Sequence, residues 1–147
     1  MGETLLRYRE DAVTGAPVLS LEDFLASDPM SNGAAAVRIT PGEDARALLP
    51  HLGRIALIEV TFPAYTDGRG YSSARILREQ GYTGELRASG DVLIDQLSHM
   101  CRCGFDAFAP AKPIAAGAAA KAVATWPEVY QKTVDGRSPI WAKRHGL

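Results

Sequence analysis

The chain has 147 residues, 46% of them hydrophobic and 22% charged, and carries a net charge of -1. That is the profile of one ordinary globular domain, long enough to bury its own core. It gives no global electrostatic draw to nucleic acid or to an anionic membrane, and no apolar run reaches the roughly 18 residues of a membrane span. Neither nucleic acid nor membrane is therefore expected as a partner.

The stretch Met1 to Arg7 lacks the basic start and apolar segment of a signal peptide. Leu6 stands where a myristoylation signal wants Ser or Thr. Thr4 to Tyr8 and Pro17 to Leu19 predict two short strands joined at Thr14-Gly15, a small N-terminal hairpin. Leu21 to Leu25 predicts a short helix with Ser20 as N-cap, and Ser27 to Gly33 is turn-rich. Residues 1–33 thus read as an N-terminal extension held by few contacts.

Ala34 to Ile39 predicts the first core strand. Thr40-Pro41-Gly42-Glu43 then opens a helix to about His51, with Thr40 as N-cap and Glu43 completing a capping box. Ile55 to Phe62 is nearly continuous apolar and predicts a central strand covered on both faces. Glu59 inside it needs a partner, and an Arg at the sheet end is the expected one. A helix is predicted from about Ser72 to Gln80, stopped by Gly81. Glu85 to Ala88 is short and polar, which suggests a strand near an edge. Asp91 is expected to cap a helix that buries Leu93, Leu97, Met100 and Cys101 and ends at Gly104. Phe105 to Ala109 predicts the last strand, and Ala115 to Ala124 an Ala-rich helix that needs a close-packing partner. Trp126-Pro127 begins a further turn, and Pro139 to Leu147 is expected to be a loose end.

The alternation predicts one α/β domain: residues 34–110 as the βα core and 111–147 as a C-terminal helix and tail. Its sheet is expected to be mostly parallel, with about four core strands and intervening helices, either flavodoxin-like or half of a (βα)8 barrel. A half-barrel would leave an edge and an apolar face exposed, which favours a homodimer.

Loops that follow parallel strands collect at one end of a sheet, where ligands bind. Two such loops carry the candidate chemistry. The first, Asp67-Gly68-Arg69-Gly70-Tyr71-Ser72, joins glycines and a guanidinium at a helix start, which suits an anion. The second, Arg87-Ala88-Ser89-Gly90-Asp91 with Asp95-Gln96, adds another Arg and two carboxylates one turn apart. The expected binding set is Asp67, Arg69, Gly70, Ser72, Arg87, Ser89, Asp91 and Gln96, with both loops forming one pocket. Asp67 and Asp95 are the candidate acids or bases.

No phosphate-loop or dinucleotide fingerprint occurs, and no cofactor is expected. Asp91 and Asp95 alone are a weak ligand pair, and His99, Cys101 and Cys103 are expected to point different ways on their helix, so no metal site is predicted. Cys101 fits the buried stripe, while Cys103 is the better candidate for an exposed, reactive thiol. Residues two apart do not face each other on a helix, so no disulfide is expected and a reduced, cytoplasmic protein is.

Three ordered blocks carry a resemblance. They are Phe62-Pro63 with Tyr65, Asp67 to Ser72, Ala74-Arg75 and Leu77-Arg78, then Gly84 to Ala88 and Gly90 to Leu93 with Asp95-Gln96-Leu97, then Arg102 to Phe108. In them the chain resembles a bacterial family of unknown function, family 934, whose members are often labelled "oxidoreductase probably involved in sulfite reduction". The resemblance implies an accessory protein of assimilatory sulfite reduction or sulfur assimilation, binding a small oxyanion or a partner of the sulfite reductase system. A small enzyme acting on an anionic substrate and a non-catalytic interaction module are the alternatives. No redox motif in the chain supports the oxidoreductase label.

Overall fold

The computed structural model describes residues 5–9, 14–27, 34–64, 66 and 68–124. Its strands are β1 (Leu6–Arg7), β2 (Val18–Ser20), β3 (Ala35–Ile39), β4 (Ile55–Phe62), β5 (Glu85–Gly90) and β6 (Ala107–Pro110). Its α-helices are α1 (Leu21–Ala26), α2 (Arg69–Glu79), α3 (Leu97–Cys103) and α4 (Ala116–Ala124). Two 3-10 segments, Ala45–Arg54 and Ile94–Gln96, stand where the chain was expected to be α-helical. Pro50 lies inside the longer one and has no N–H for an i→i−4 bond.

The six strands form one sheet in the order β1-β6-β5-β4-β3-β2. Every neighbouring pair from β2 to β6 is parallel, and β1 joins β6 antiparallel. The α/β architecture with a mostly parallel sheet is as expected, and the order decides between the two forms of it. A flavodoxin-like sheet reverses strand order at a switch point. Here each parallel strand lies beside its predecessor, as in part of a (βα)8 barrel. The two N-terminal strands form, but on opposite edges of the sheet rather than as a hairpin. Leu6 of β1 and Leu21 and Phe24 of α1 join the buried core.

Stepping always in one direction with right-handed crossovers puts every connection on one face. Accordingly the long 3-10 segment touches α2, α2 touches α3 and α3 touches α4 in a single row. At the other end Phe24 of α1 meets the ring of His51 at 5.5 Å, and the Arg54 guanidinium lies 4.5 Å above it. The strands give this layer their alternate residues: Val37 and Ile39, then Ile58, Val60 and Phe62, then Leu86 and Ala88, then Phe108. The partner that the Ala-rich α4 required is α3, and Ala119 is fully buried there.

The opposite sheet face carries the intervening residues, and at its middle level they are charged. Arg38, Glu59, Arg87, Ala107 and Arg7 stand in lateral register on five strands. Arg38 Nε donates to Glu59 Oε2 at 2.7 Å, so Glu59 finds its Arg on the next strand in mid-sheet, not at the sheet end. Glu85, one level down, accepts from Arg7 Nε at 2.6 Å and from Arg87 Nε at 2.9 Å. The face expected to be apolar in a half-barrel is therefore mixed among the described residues, with these ion pairs set beside the buried Ala36, Leu57 and Ala107. It also explains the polarity of β5, which lies between β4 and β6 and is no edge strand.

Local signals fixed several ends. Ser20 Oγ accepts from Asp23 N–H at 3.1 Å at the start of α1. Gly81 and Gly104 take φ of +96° and +117° where helices stop, a region that favours glycine. Among the described residues no helix is long and apolar enough to cross a membrane. The turn expected after Trp126 and the tail from Pro139 lie outside the described residues.

Candidate functional site

The carboxyl ends of β3 and β4 and the first turn of α2 enclose a cleft of about 200 Å3. Its apolar walls are Ile39, Val60 and Pro41, and its polar ones come from Thr40, Glu43, Thr61, Arg69 and Ser73. Gly42 and Gly70 complete the lining.

Each wall follows from local chemistry. The chain leaves β3 through Thr40, whose N–H and hydroxyl both donate to Glu43 Oε1 at 2.7 Å. Only half of the expected capping box forms: the Glu43 carboxylate takes the Thr40 N–H, but the Glu43 N–H donates to Thr40 O at 3.1 Å and not to its hydroxyl, and the helical segment starts later, with Asp44 as its N-cap accepting from Arg46 N–H at 3.0 Å. Gly42, at φ +91°, makes the turn between them. A Cβ there would stand 3.7 Å from Arg69 Nη1, so the guanidinium leans over the β3 loop. The Thr61 hydroxyl bridges the two strands by donating to Ile39 O at 3.2 Å.

α2 begins at Arg69, ahead of the expected Ser72, with Gly68 as an N-cap that lends no side-chain oxygen. That start sets which residues share a face. Arg69, Gly70 and Ser73 lie three and four apart and line the cleft together, whereas Ser72 is exposed and does not. Chemically the cleft offers a guanidinium, the Ser73 hydroxyl and the positive end of a helix dipole to an anionic group, since the Thr40 and Thr61 hydroxyls already donate to Glu43 Oε1 and Ile39 O. A carboxylate stands among them.

The model of the family "Bacterial protein of unknown function (DUF934)" matches residues 36–141. The chain belongs to this family. Neither a comparison with curated proteins nor one with solved structures gave a match.

In this DUF934 protein the other expected site residues are spread over neighbouring positions rather than gathered in the cleft. Asp67 lies outside the described residues. Ser89 is buried and pairs in register with Thr61, one strand over from the cleft. Arg87 belongs to the ionic sheet face, held by Glu85. Asp91 does not cap α3, because that helix starts at Leu97 behind a 3-10 turn whose N-cap is Leu93. Its N–H instead donates to Phe62 O at 2.7 Å, which ties the end of β5 to the end of β4. Gln96 accepts from Leu93 N–H at 3.1 Å, and Asp95 is exposed on the same turn. Leu93, expected in the buried stripe, is 37% exposed, while Leu97 and Met100 are buried.

Of the two cysteines, Cys101 packs against the core as expected, whereas Cys103, expected to be exposed, is not. Cys103 is buried, and Cys101 is half-buried against the core. His99 and Cys103 lie four apart and do meet, with Sγ 3.8 Å from Nε2. The His99 ring lies 5.0 Å from that of Tyr71, whose pKa is raised by burial and further by the nearby Cys103. Among the described residues no three or more His, Cys, Asp or Glu are grouped as metal ligands.

Sequence reasoning passed over Glu43 and Ser73 as site residues. Glu43 was legible only as a capping residue, and Ser73 stayed hidden because the helix start was placed too late. A run of Arg69, Gly70 and Ser73 at helical spacing was the signal available.

Proposed function

We propose that this protein is an accessory of assimilatory sulfite reduction that binds a small ligand with an oxyanion head in the cleft between β3, β4 and α2. The observation that carries this reading is the convergence of Arg69, Ser73 and the first turn of α2 on one cleft of about 200 Å3. Arg69 supplies charge-assisted hydrogen bonds, and the helix start favours negative charge. The volume lies below the roughly 300–1,000 Å3 of sites for drug-sized ligands, which suits a small anion and not a nucleotide cofactor. The link to sulfur assimilation rests on the resemblance carried by the loop blocks, and sulfite and sulfate are the oxyanions it implies.

The test is calorimetric titration of the full chain with sulfite, sulfate and phosphate. Binding of one of them, lost in Arg69→Ala with an unchanged melting temperature, supports the reading. Absence of binding to all three, with Arg69→Ala lowering stability alone, replaces it with a structural interaction module. A pull-down from bacterial extract that returns a subunit of sulfite reductase would support the accessory role itself.

A further inference from the structure

We infer that the natural ligand of the cleft is a small zwitterion, with its anionic head at Arg69 and its ammonium group at Glu43, rather than a bare inorganic oxyanion. This deepens the oxyanion reading above and rests on it.

Charge is the first argument. Among the described lining residues, Arg69 is the one cation and Glu43 the one anion. A bare dianion would gain the guanidinium and pay for it against the carboxylate in the same small volume. Arg69 is exposed, so water screens both terms, but within a few ångströms their signs still oppose each other. A ligand carrying both signs matches both walls.

The bonding of Glu43 is the second argument. Both of its recorded bonds, from the Thr40 N–H and hydroxyl, end on Oε1. A carboxylate has about four acceptor positions over two oxygens. Thr40 therefore fixes the carboxylate in place and leaves Oε2 outside this pair of bonds. An ammonium group donating there would make a charge-assisted bond to a side chain already held in position.

Size is the third. At roughly 30 Å3 per water the cleft holds about seven waters, more than an isolated tetrahedral ion displaces. Ile39, Val60 and Pro41 are among the lining residues, and the surplus leaves room for a short carbon chain between the two charged ends.

The probes are taurine, a sulfonate with an ammonium group, and isethionate, the same sulfonate with a hydroxyl in its place, with sulfate as the bare ion. Titrations of the full chain are expected to show taurine binding about tenfold tighter than isethionate, the value of one good charge-assisted hydrogen bond. Glu43→Gln keeps a carbonyl oxygen for both Thr40 donors, so those contacts survive while the charge is lost. It should abolish the preference for taurine and leave isethionate and sulfate bound at least as tightly as before. Equal affinity for taurine and isethionate in the unmodified chain would overturn the inference without any variant. A taurine preference that Glu43→Gln does not change would overturn it too. If sulfate and isethionate bind and taurine does not, the oxyanion reading stands and the zwitterion fails; if none of the three binds, both fall.

Discussion

Gly70 lies against the ring of Phe62: a Cβ built at position 70 would stand 2.5 Å from Phe62 Cζ and 2.9 Å from Val60 Cγ1. The glycine lets α2 approach the middle of the sheet, and that approach brings Arg69 and Ser73 to the mouth of the cleft. In an exposed helix interior Gly→Ala would gain about 1 kcal/mol. Here the added methyl meets a ring and a branched side chain that are both buried. Gly70→Ala is therefore expected to destabilise by about 1–3 kcal/mol, the range of overpacking in a filled core. A fall in the urea midpoint checks it, and a rise would mean that Phe62 moves aside at little cost.

The ionic sheet face yields a ranking. The Glu85 side chain is 3% exposed and is held by Arg7 and Arg87, each 13% exposed. Removing it leaves two guanidinium groups in a poorly solvated place, and Glu85→Ala is expected to cost about 3–5 kcal/mol. The Arg38 side chain is 48% exposed, so its bond to Glu59 is screened by water. Arg38→Ala loses a screened bond but strands the Glu59 carboxylate, whose side chain is 11% exposed, so it is expected to cost about 1–3 kcal/mol, still less than the Glu85 loss. Denaturant melts of the two variants test the order, and equal losses would show that the Glu59 pair is as dry as the Glu85 cluster.

Arg78 closes the amino end of the sheet. It donates to Gly104 O at 2.9 Å, to Tyr82 O at 2.9 Å, to Gly84 O at 2.8 Å and to Asp106 Oδ2 at 3.0 Å. Burial lowers its pKa, with Asp106 acting against that shift. A lysine keeps the charge but cannot reproduce a planar fork that serves three carbonyls at once. Arg78→Lys should cost about 2–3 kcal/mol through carbonyls left without a donor. A loss below 1 kcal/mol, about the net value of a single hydrogen bond, would show that water takes over those acceptors.

What was legible in the chain was local or strongly periodic. The apolar run Ile55–Phe62 became β4, and the stops at Gly81 and Gly104 follow from a backbone conformation that glycine adopts without strain. The bond from Ser20 to Asp23 is likewise settled within one turn. What failed depended on distant partners. Nothing near β1 says that it pairs with β6 instead of β2, a choice made across most of the chain. In β5 the alternation Glu85, Arg87, Ser89 against Leu86, Ala88 did report one polar and one apolar face. It looked like an edge because the compensating charges, Arg7, Arg38 and Glu59, come from three other strands. The same holds for the site: the family blocks draw the eye to the loop after β4, but the cleft takes its second wall from Thr40–Glu43, outside all three blocks.

Tyr82 links the amino-end lock to pH. It is 4% exposed, and its hydroxyl donates to Glu85 O at 3.3 Å. Burial raises its pKa well above the ordinary phenol value of about 10; the Arg78 guanidinium, 5.5 Å from the ring, pulls the other way and does not win. The sign follows from linkage. Above about pH 10 the unfolded chain sheds this proton while the folded one keeps it, so the unfolded state binds fewer protons and stability falls as pH rises. Below about pH 10 the contribution is fully present. Burial also raises Tyr8 and Tyr71, so a part of the alkaline slope belongs to them. Tyr82→Phe should lose at most about 1 kcal/mol at neutral pH, for one long hydrogen bond, and should flatten the decline above about pH 10. Urea midpoints of both chains, taken across that range, measure the difference; lysine titration is common to the two and cancels. Parallel declines would place the alkaline sensitivity elsewhere than in this phenol.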